Sequence, residues 1–358
     1  MGSDTITGWD GPCAVSNRHR GTASMQQNII VGLAAGLASA ALLALATMGG
    51  AGASARIDGL IIVYFLASLP AFLAGLGWGP VAAVSAAVAA GIGCTLLRGP
   101  YAGAMVLASQ GVPVALVCYL AQLNRTVVEP ASGHAAAPSE TVEWYPVGRL
   151  IAVTALLAGA FGFLTVILLG TSIDDVRVLL RKLIENLFLK QLPGLKDRKV
   201  EEPEIQALTE VMLYGFPAAM ALTWAGTFLL NFYIAGRVTQ ASGRLLRPWP
   251  DLATMQFPKG FGFALAISLA IATATQGYPA LLAAGFAGAV MLAYLLMGLA
   301  ILHHVSRGKP ARALMLWGVY VGLVVLNPWS GLAVAMLGLV EPFLPWRRAM
   351  RKGPAPPV

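Results

Sequence analysis

Ten runs of apolar residues, parted by short polar breaks, fill the chain from Ile29 to Leu344. The first, Ile29–Met48, holds no charged side chain, and about 20 such residues in a helix cross the ~30 Å of hydrocarbon in a bilayer. In lipid every backbone N–H and C=O must be paired inside the protein, which a helix does locally. The fold class is therefore all-α, a polytopic transmembrane helix bundle of about ten spans. Composition agrees, with 57% hydrophobic and 11% charged residues, against about 25% charged in a soluble domain. The spans are Ile29–Met48, Leu60–Leu76, Pro80–Leu97, Ala102–Leu123, Arg149–Gly170, Thr209–Ala235, Phe261–Gln276, Tyr278–Val305, Ala311–Leu326 and Ser330–Leu344. Pro80–Leu97, Phe261–Gln276 and Ser330–Leu344 are short and suit tilted, buried or re-entrant helices.

A net charge of +8 would point to nucleic acid in a soluble protein, but in a membrane protein basic residues gather on cytoplasmic loops. With the N-terminus inside, 15 of the 24 lysines and arginines fall on the cytoplasmic side. Seven of the other nine lie between Arg177 and Lys199, a region that seven acidic residues neutralise. Long loops translocate regardless of charge, so the short loops decide the orientation. They place both termini in the cytoplasm, with the lipid bilayer as the chief partner and no nucleic acid.

The organisation expected from this pattern begins with a polar N-terminal tail, 1–28. It has no apolar core and so is no secretory signal; Met25, just before the first span, is an alternative start. A four-span part, 29–123, leads to a cytoplasmic linker, 124–148, rich in Ala, Pro and Ser and read as flexible. A six-span part, 149–346, precedes a basic cytoplasmic tail, 347–358. Within the six-span part an external amphipathic helix covers 172–192. Val176, Leu179, Leu180, Leu183, Ile184 and Leu187 recur at helical spacing on one face. Ser172 with Asp175 forms a capping-box-like start, and Pro193–Gly194 ends the helix. Its apolar face belongs in lipid or against the bundle.

Chemistry is sparse. No span carries an acidic residue near its centre, where proton-coupled carriers keep one. HExxH, GxSxG and a phosphate loop ending in Lys-Ser/Thr are all missing, so the chain is not expected to be an enzyme or to need a cofactor or metal. Three cysteines without CxxC spacing suggest no disulfide framework. The most polar patch inside a span is Ser109–Gln110, and these two are candidate substrate-lining residues, beside the packing role usual for such groups. Gly32, Gly36 and Ala40 form a ridge of small residues that lets a second helix approach closely. Pro70, Pro113 and Pro217 interrupt spans and should kink them.

Two stretches carry a resemblance: Asn231 to Pro258, with NFYIAGRV and SGRLLRPWPDL, and the C-terminal Asn327–Pro328–Trp329 followed by GLVEPFLPWRR. Together they resemble the YybS-like family of bacterial membrane proteins, most closely its alphaproteobacterial branch. In that family the chain ends in Gly-Leu-Leu-Asp, with an Arg six residues after the acid; Gly338, Glu341 and Arg347 stand in those places here. The family is distantly similar to the substrate-capturing subunits of energy-coupling-factor vitamin transporters and to the cell-shape protein MreD. The first similarity implies a solute-binding or transport component that works with a separate membrane-protein partner and binds an unidentified small molecule. The second implies a structural or assembly scaffold of the cell envelope. Because both stretches carry the resemblance, Arg244, Arg247, Glu341 and Arg347 are candidates for a cytoplasmic docking face.

Overall fold

The computed structural model describes residues 25–47, 62–129, 139–170, 172–189 and 201–344. In chain order these give α1 (Met25–Thr47), α2 (Leu69–Trp78), α3 (Pro80–Arg98), α4 (Pro100–Val106), a π-helical turn (Leu107–Gly111) and α5 (Val112–Gln122). A two-stranded ribbon follows, β1 (Asn124–Glu129) and β2 (Ser139–Trp144), then α6 (Val147–Leu169), α7 (Ile173–Leu183) and α8 (Glu202–Ala241). The described chain ends with α9 (Phe261–Ala274), α10 (Tyr278–Val305), α11 (Arg312–Val325) and α12 (Trp329–Val340).

Six of the described helical stretches are long and apolar enough to cross a membrane: Met25–Ala46, Pro80–Arg98, Pro100–Gln122, Val147–Leu169, Glu202–Ala241 and Tyr278–Val305. Four of the ten expected spans, Ile62–Trp78, Phe261–Ala274, Arg312–Val325 and Trp329–Val340, are shorter. The 14 residues of α9 or α11 reach only about 21 Å at 1.5 Å per residue, less than the hydrocarbon thickness. Length alone thus supports six crossings.

The helices form two compact units: Met1–Leu150 with Thr227–Pro250, and Ile151–Gly226 with Asp251–Val358. The division differs from the one expected at residue 148. Thr227–Pro250 joins the first unit because its side chains pack there. Phe72 is fully buried and meets Phe228 and Phe232 edge-on, with ring centroids 4.9 and 5.6 Å apart. Asn231 donates from Nδ2 to the Phe65 carbonyl at 2.7 Å.

In the first unit α1 and α3 lie against each other along most of their length. A Cβ at Gly32 or Gly36 would fall well inside van der Waals contact of the Ala82 or Ala86 carbonyl, and Ala40 fills the space beside Gly93. The contacts advance in the same direction along both helices, which therefore run parallel. Gly79 and Gly99 are single-residue connections at φ +97° and +93°, a backbone region that favours glycine. Each is followed by a proline that opens the next helix, where its missing N–H is not needed.

The segment read as a flexible linker holds the antiparallel ribbon, with Asn124 opposite Trp144 and Glu129 opposite Ser139. Val and Thr at 126–128 and 141–142 favour strands, and Arg125 pairs with Glu143 at 2.6 Å. The Ala- and Pro-rich part, 130–138, lies outside the described residues, as do 1–24 and 345–358, whereas residues 25–28 of the expected N-terminal tail open α1.

In the second unit close backbone approach recurs. Gly162 meets Pro217 and Ala221, Gly288 meets Ala218, Gly298 meets Val334 and Gly338 meets Tyr294. The amphipathic helix is α7, continued by a π-helical stretch to Leu189; residues 190–194 lie outside the described set. Its start is a complete capping box: Ser172 Oγ accepts from the Asp175 N–H, and the Asp175 carboxylate from the Ser172 N–H. The apolar face is narrower than the sequence suggests. Val176, Leu180 and Ile184 are buried, whereas Leu183 is 38% exposed. Val176 and Leu180 pack on Val166, Leu213 and Leu281, so α7 docks against its own bundle.

Two expectations follow. Gly36→Ala should destabilise the detergent-solubilised protein by about 1–3 kcal/mol through overpacking. Gly226→Ala, at a helical position with no heavy atom within 4 Å of the added methyl, should be neutral or slightly stabilising; paired thermal unfolding curves check both. Leu180→Asp should release α7 to protease, since it buries an unpaired charge at a cost of about 3 kcal/mol or more, while Leu183→Asp should leave the cleavage pattern unchanged.

Candidate functional site

Ser109 and Gln110 sit in the π-helical turn Leu107–Gly111. Pro113 two residues on has no N–H to return to the preceding turn, and a widened turn accommodates it. Ser109 Oγ donates back to the Met105 carbonyl at 2.7 Å, the packing use of a hydroxyl inside a membrane helix. Gln110 borders a small enclosed cavity with Ser39, Ser68, Ala86, Gly111 and Val114. Its volume is about 10 Å³, enough for one water, and its free surface is apolar. Ser39 is 3% exposed and its Oγ has no hydrogen-bond partner. Gln110 thus borders a space no larger than a water, and the Ser109 hydroxyl is spent on its own helix.

A second polar cluster lies at the end of the first unit where α2 turns into α3. The loop after α8 crosses this corner. Arg244 stacks on the Trp78 ring, 4.7 Å from its centroid, and Arg237 on the Trp249 ring at 5.4 Å. Arg247 lies deeper. Its Nη1 donates to the carbonyls of Ala121 and Tyr145 at 3.2 and 3.1 Å, tying the end of α5 to the start of α6. Burial lowers its pKa to about 10, so at neutral pH it remains a cation. Among the described residues it forms no ion pair; carbonyl dipoles alone offset its charge. Beside it Gln122 and Asn124 are 2% and 1% exposed. Gln122 Nε2 donates to the Gly75 carbonyl and Asn124 Nδ2 to the Gln122 carbonyl. Their side-chain oxygens, the Trp78 Nε1 and the Arg247 Nε are enclosed without partners.

In the second unit an open cleft of about 640 Å³ is lined by Phe163, Ile167, Leu168, Leu169, Gly170 and Tyr278. The start of α7 stands next to it: Gly170 abuts Asp175 and Val176. Ion pairs hold α7 on α8. Arg177 reaches Glu210 at 2.5 Å and also pairs with Asp174; Arg181 binds Glu185 and Glu202 at 2.9 and 2.6 Å. The Glu210 hydrogen bond is the main reason the Arg177 proton is held more tightly than usual.

The structure therefore brings Arg244 and Arg247 together on one loop of the first unit. Glu341 follows α12 in the second unit, and Arg347 lies outside the described residues. Sequence reasoning missed the cleft, the Trp78–Gln122–Asn124 corner and the Asp251–Arg307 pair. The one usable signal was Trp78 before Gly79–Pro80, an aromatic residue at a forced turn.

The family model of a predicted membrane protein, DUF2232, matches residues 54–341 of the chain. The chain belongs to the DUF2232 family. The match takes in the π-helical turn, the arginine corner and the cleft, so all three lie on the part of the chain that defines a DUF2232 protein. The chain is a multi-pass membrane protein whose environment is the lipid bilayer. Nothing among the curated proteins or the solved structures matches it.

The Asp251–Arg307 pair makes a pH test possible. Arg307 donates to both Asp251 oxygens at 2.5 and 2.8 Å, and this holds the Asp251 carboxyl below the usual carboxylate range. A carboxyl lowered by folding contributes stability above its unfolded pKa of about 3.9 and loses it as pH falls through the lower folded value. Parent protein should therefore melt at a higher temperature than Arg307→Gln near neutral pH. The two melting curves should converge as the pH falls through the lowered folded value of Asp251, where the carboxylate takes up its proton in both states.

Proposed function

We propose that this DUF2232 protein is a solute-binding or transport component of the bacterial inner membrane, working with a separate energising partner. The observation that carries this reading is the cleft of about 640 Å³ between Phe163, Ile167–Gly170 and Tyr278. The cleft is open, and its walls are apolar and aromatic, as those of small-molecule sites are. Such walls select an apolar or amphipathic solute, and the ion-paired α7 beside them supplies an element that can be released and redocked. The π-helical turn at Ser109–Gln110 adds support, since such turns recur at functional sites. In the same reading the four short helices complete a ten-span topology with both termini cytoplasmic.

A second reading, an assembly scaffold of the cell envelope, is favoured by one specific observation. The helix α7 keeps a charged outer face, from Asp174 to Glu185, that is ordered by ion pairs.

Purification in mild detergent, followed by identification of co-purifying small molecules and proteins, separates the two. A stoichiometric small molecule lost on Tyr278→Ala or Phe163→Ala supports the solute reading; a cell-envelope protein without one supports the scaffold. Reporter fusions at Ser306 and Lys196 should register on opposite sides of the membrane. Registration on the same side would overturn the ten-span topology.

A further inference from the structure

The arginine corner of the first unit has the makings of an anion site. Arg247 spends both Nη1 hydrogens on backbone carbonyls. The other edge of its guanidinium, Nε with Nη2, has no hydrogen-bond partner among the described residues, and Nε is enclosed. That edge is the side-on fork with which arginine takes a phosphate or carboxylate in two parallel hydrogen bonds. Trp78 contributes an enclosed, unspent indole N–H at the same corner. Arg244 lies over the Trp78 ring and makes no ion pair among the described residues. Gly79, the residue after Trp78, faces the same corner: a Cβ there would stand 3.7 Å from Gln122 Oε1 and 3.9 Å from Cδ1 of Leu246, the residue before Arg247. From residue 227 to 250 the chain has three arginines and no acidic residue.

Orientation by loop charge does not account for this arrangement. A charge that only sets topology can sit fully solvated on a loop, whereas Arg247 is drawn inward and its charge left without a carboxylate. The unspent oxygens of Gln122 and Asn124 add a requirement of their own: whatever fills the corner should bring O–H or N–H donors beside its anion.

We propose that the Trp78–Arg244–Arg247 corner binds a phosphate ester carrying an adjacent hydroxyl or amino group, its source being the headgroup of a phospholipid in the surrounding bilayer. The phosphate bridges the Arg247 fork and Arg244, and the headgroup's hydroxyl or ammonium faces Gln122 and Asn124. Trp78 and Trp249, each under an arginine, then mark the level of the headgroups, where tryptophans collect.

The test uses the purified full-length chain in nanodiscs of phosphatidylcholine, to which phosphatidylglycerol or phosphatidylethanolamine is added, with retained lipid read by native mass spectrometry. Phosphatidylglycerol and phosphatidylethanolamine should be retained over phosphatidylcholine, which has the phosphate but no donor. Arg244→Gln and Arg247→Lys should each lower retention about tenfold, the effect of losing one hydrogen bond to a charged group. Arg307→Gln, which removes one charge from the second unit, should change nothing. Inorganic phosphate added as competitor separates the sources: displacement of the lipid points to a soluble phosphate ester, and no displacement to the headgroup. Equal retention of all three lipids would overturn the proposal, as would full retention by Arg244→Gln. If Arg247→Lys fails to fold by thermal melt, Arg244→Gln, whose side chain is exposed, decides alone.

Discussion

Apolar side chains gain little by leaving lipid for one another, so membrane helices hold together where their backbones can come close. That constraint shapes both units of this chain. Gly32 and Gly36 admit the carbonyls of Ala82 and Ala86; Gly288 admits Ala218, and Gly298 and Gly338 admit Val334 and Tyr294. A methyl group at any of these points would hold the helices apart along their whole contact. The small residues therefore stand in for the large hydrophobic core of a soluble protein, and they leave few places inside the bundle where a side chain can do chemistry.

The polar groups show the complementary pattern. Ion pairs gather where water is available, between α7 and α8 and at Asp251–Arg307. In the first unit Ser85 and Ser109 return their hydroxyls to their own helices. Arg247 departs from both habits: it is drawn inward and held by carbonyls alone. A cation so placed is expensive unless something else shares the site.

Much of the fold was legible because its signals are local. Apolar helical stretches, the Ser172–Asp175 capping box and the Gly32–Gly36–Ala40 ridge depend on residues a few places apart; the structure shows the box and the ridge, and six of the ten expected spans are helices long enough to cross. What depends on distant partners was not legible. Apolar periodicity marks α9 as a short helix but cannot tell whether its 14 residues cross at a tilt, lie buried or re-enter. Nor could it assign Thr227–Pro250 to the first unit, because that follows from Phe72 and Phe65, more than 150 residues away. Spacing alone put Leu183 on the buried face of α7; the π-helical stretch and the width of the groove between Val166, Leu213 and Leu281 left it outside. At the candidate sites, Arg244 and Arg247 were visible as charge and Ser109 and Gln110 as polarity, but whether a charge is buried or a hydroxyl already spent is decided by tertiary contacts.

The one-residue connections at Gly79 and Gly99 have a mechanical consequence. With no slack between α2, α3 and α4, none of these helices can slide up or down past the next. A long loop lets each span settle at its own depth; here the three must move as a block. A bilayer thinner or thicker than this block cannot be met by adjusting single helices, and mismatch is taken up by tilting the group or deforming nearby lipid. The first unit is in this respect a rigid gauge of membrane thickness, calibrated by two glycines.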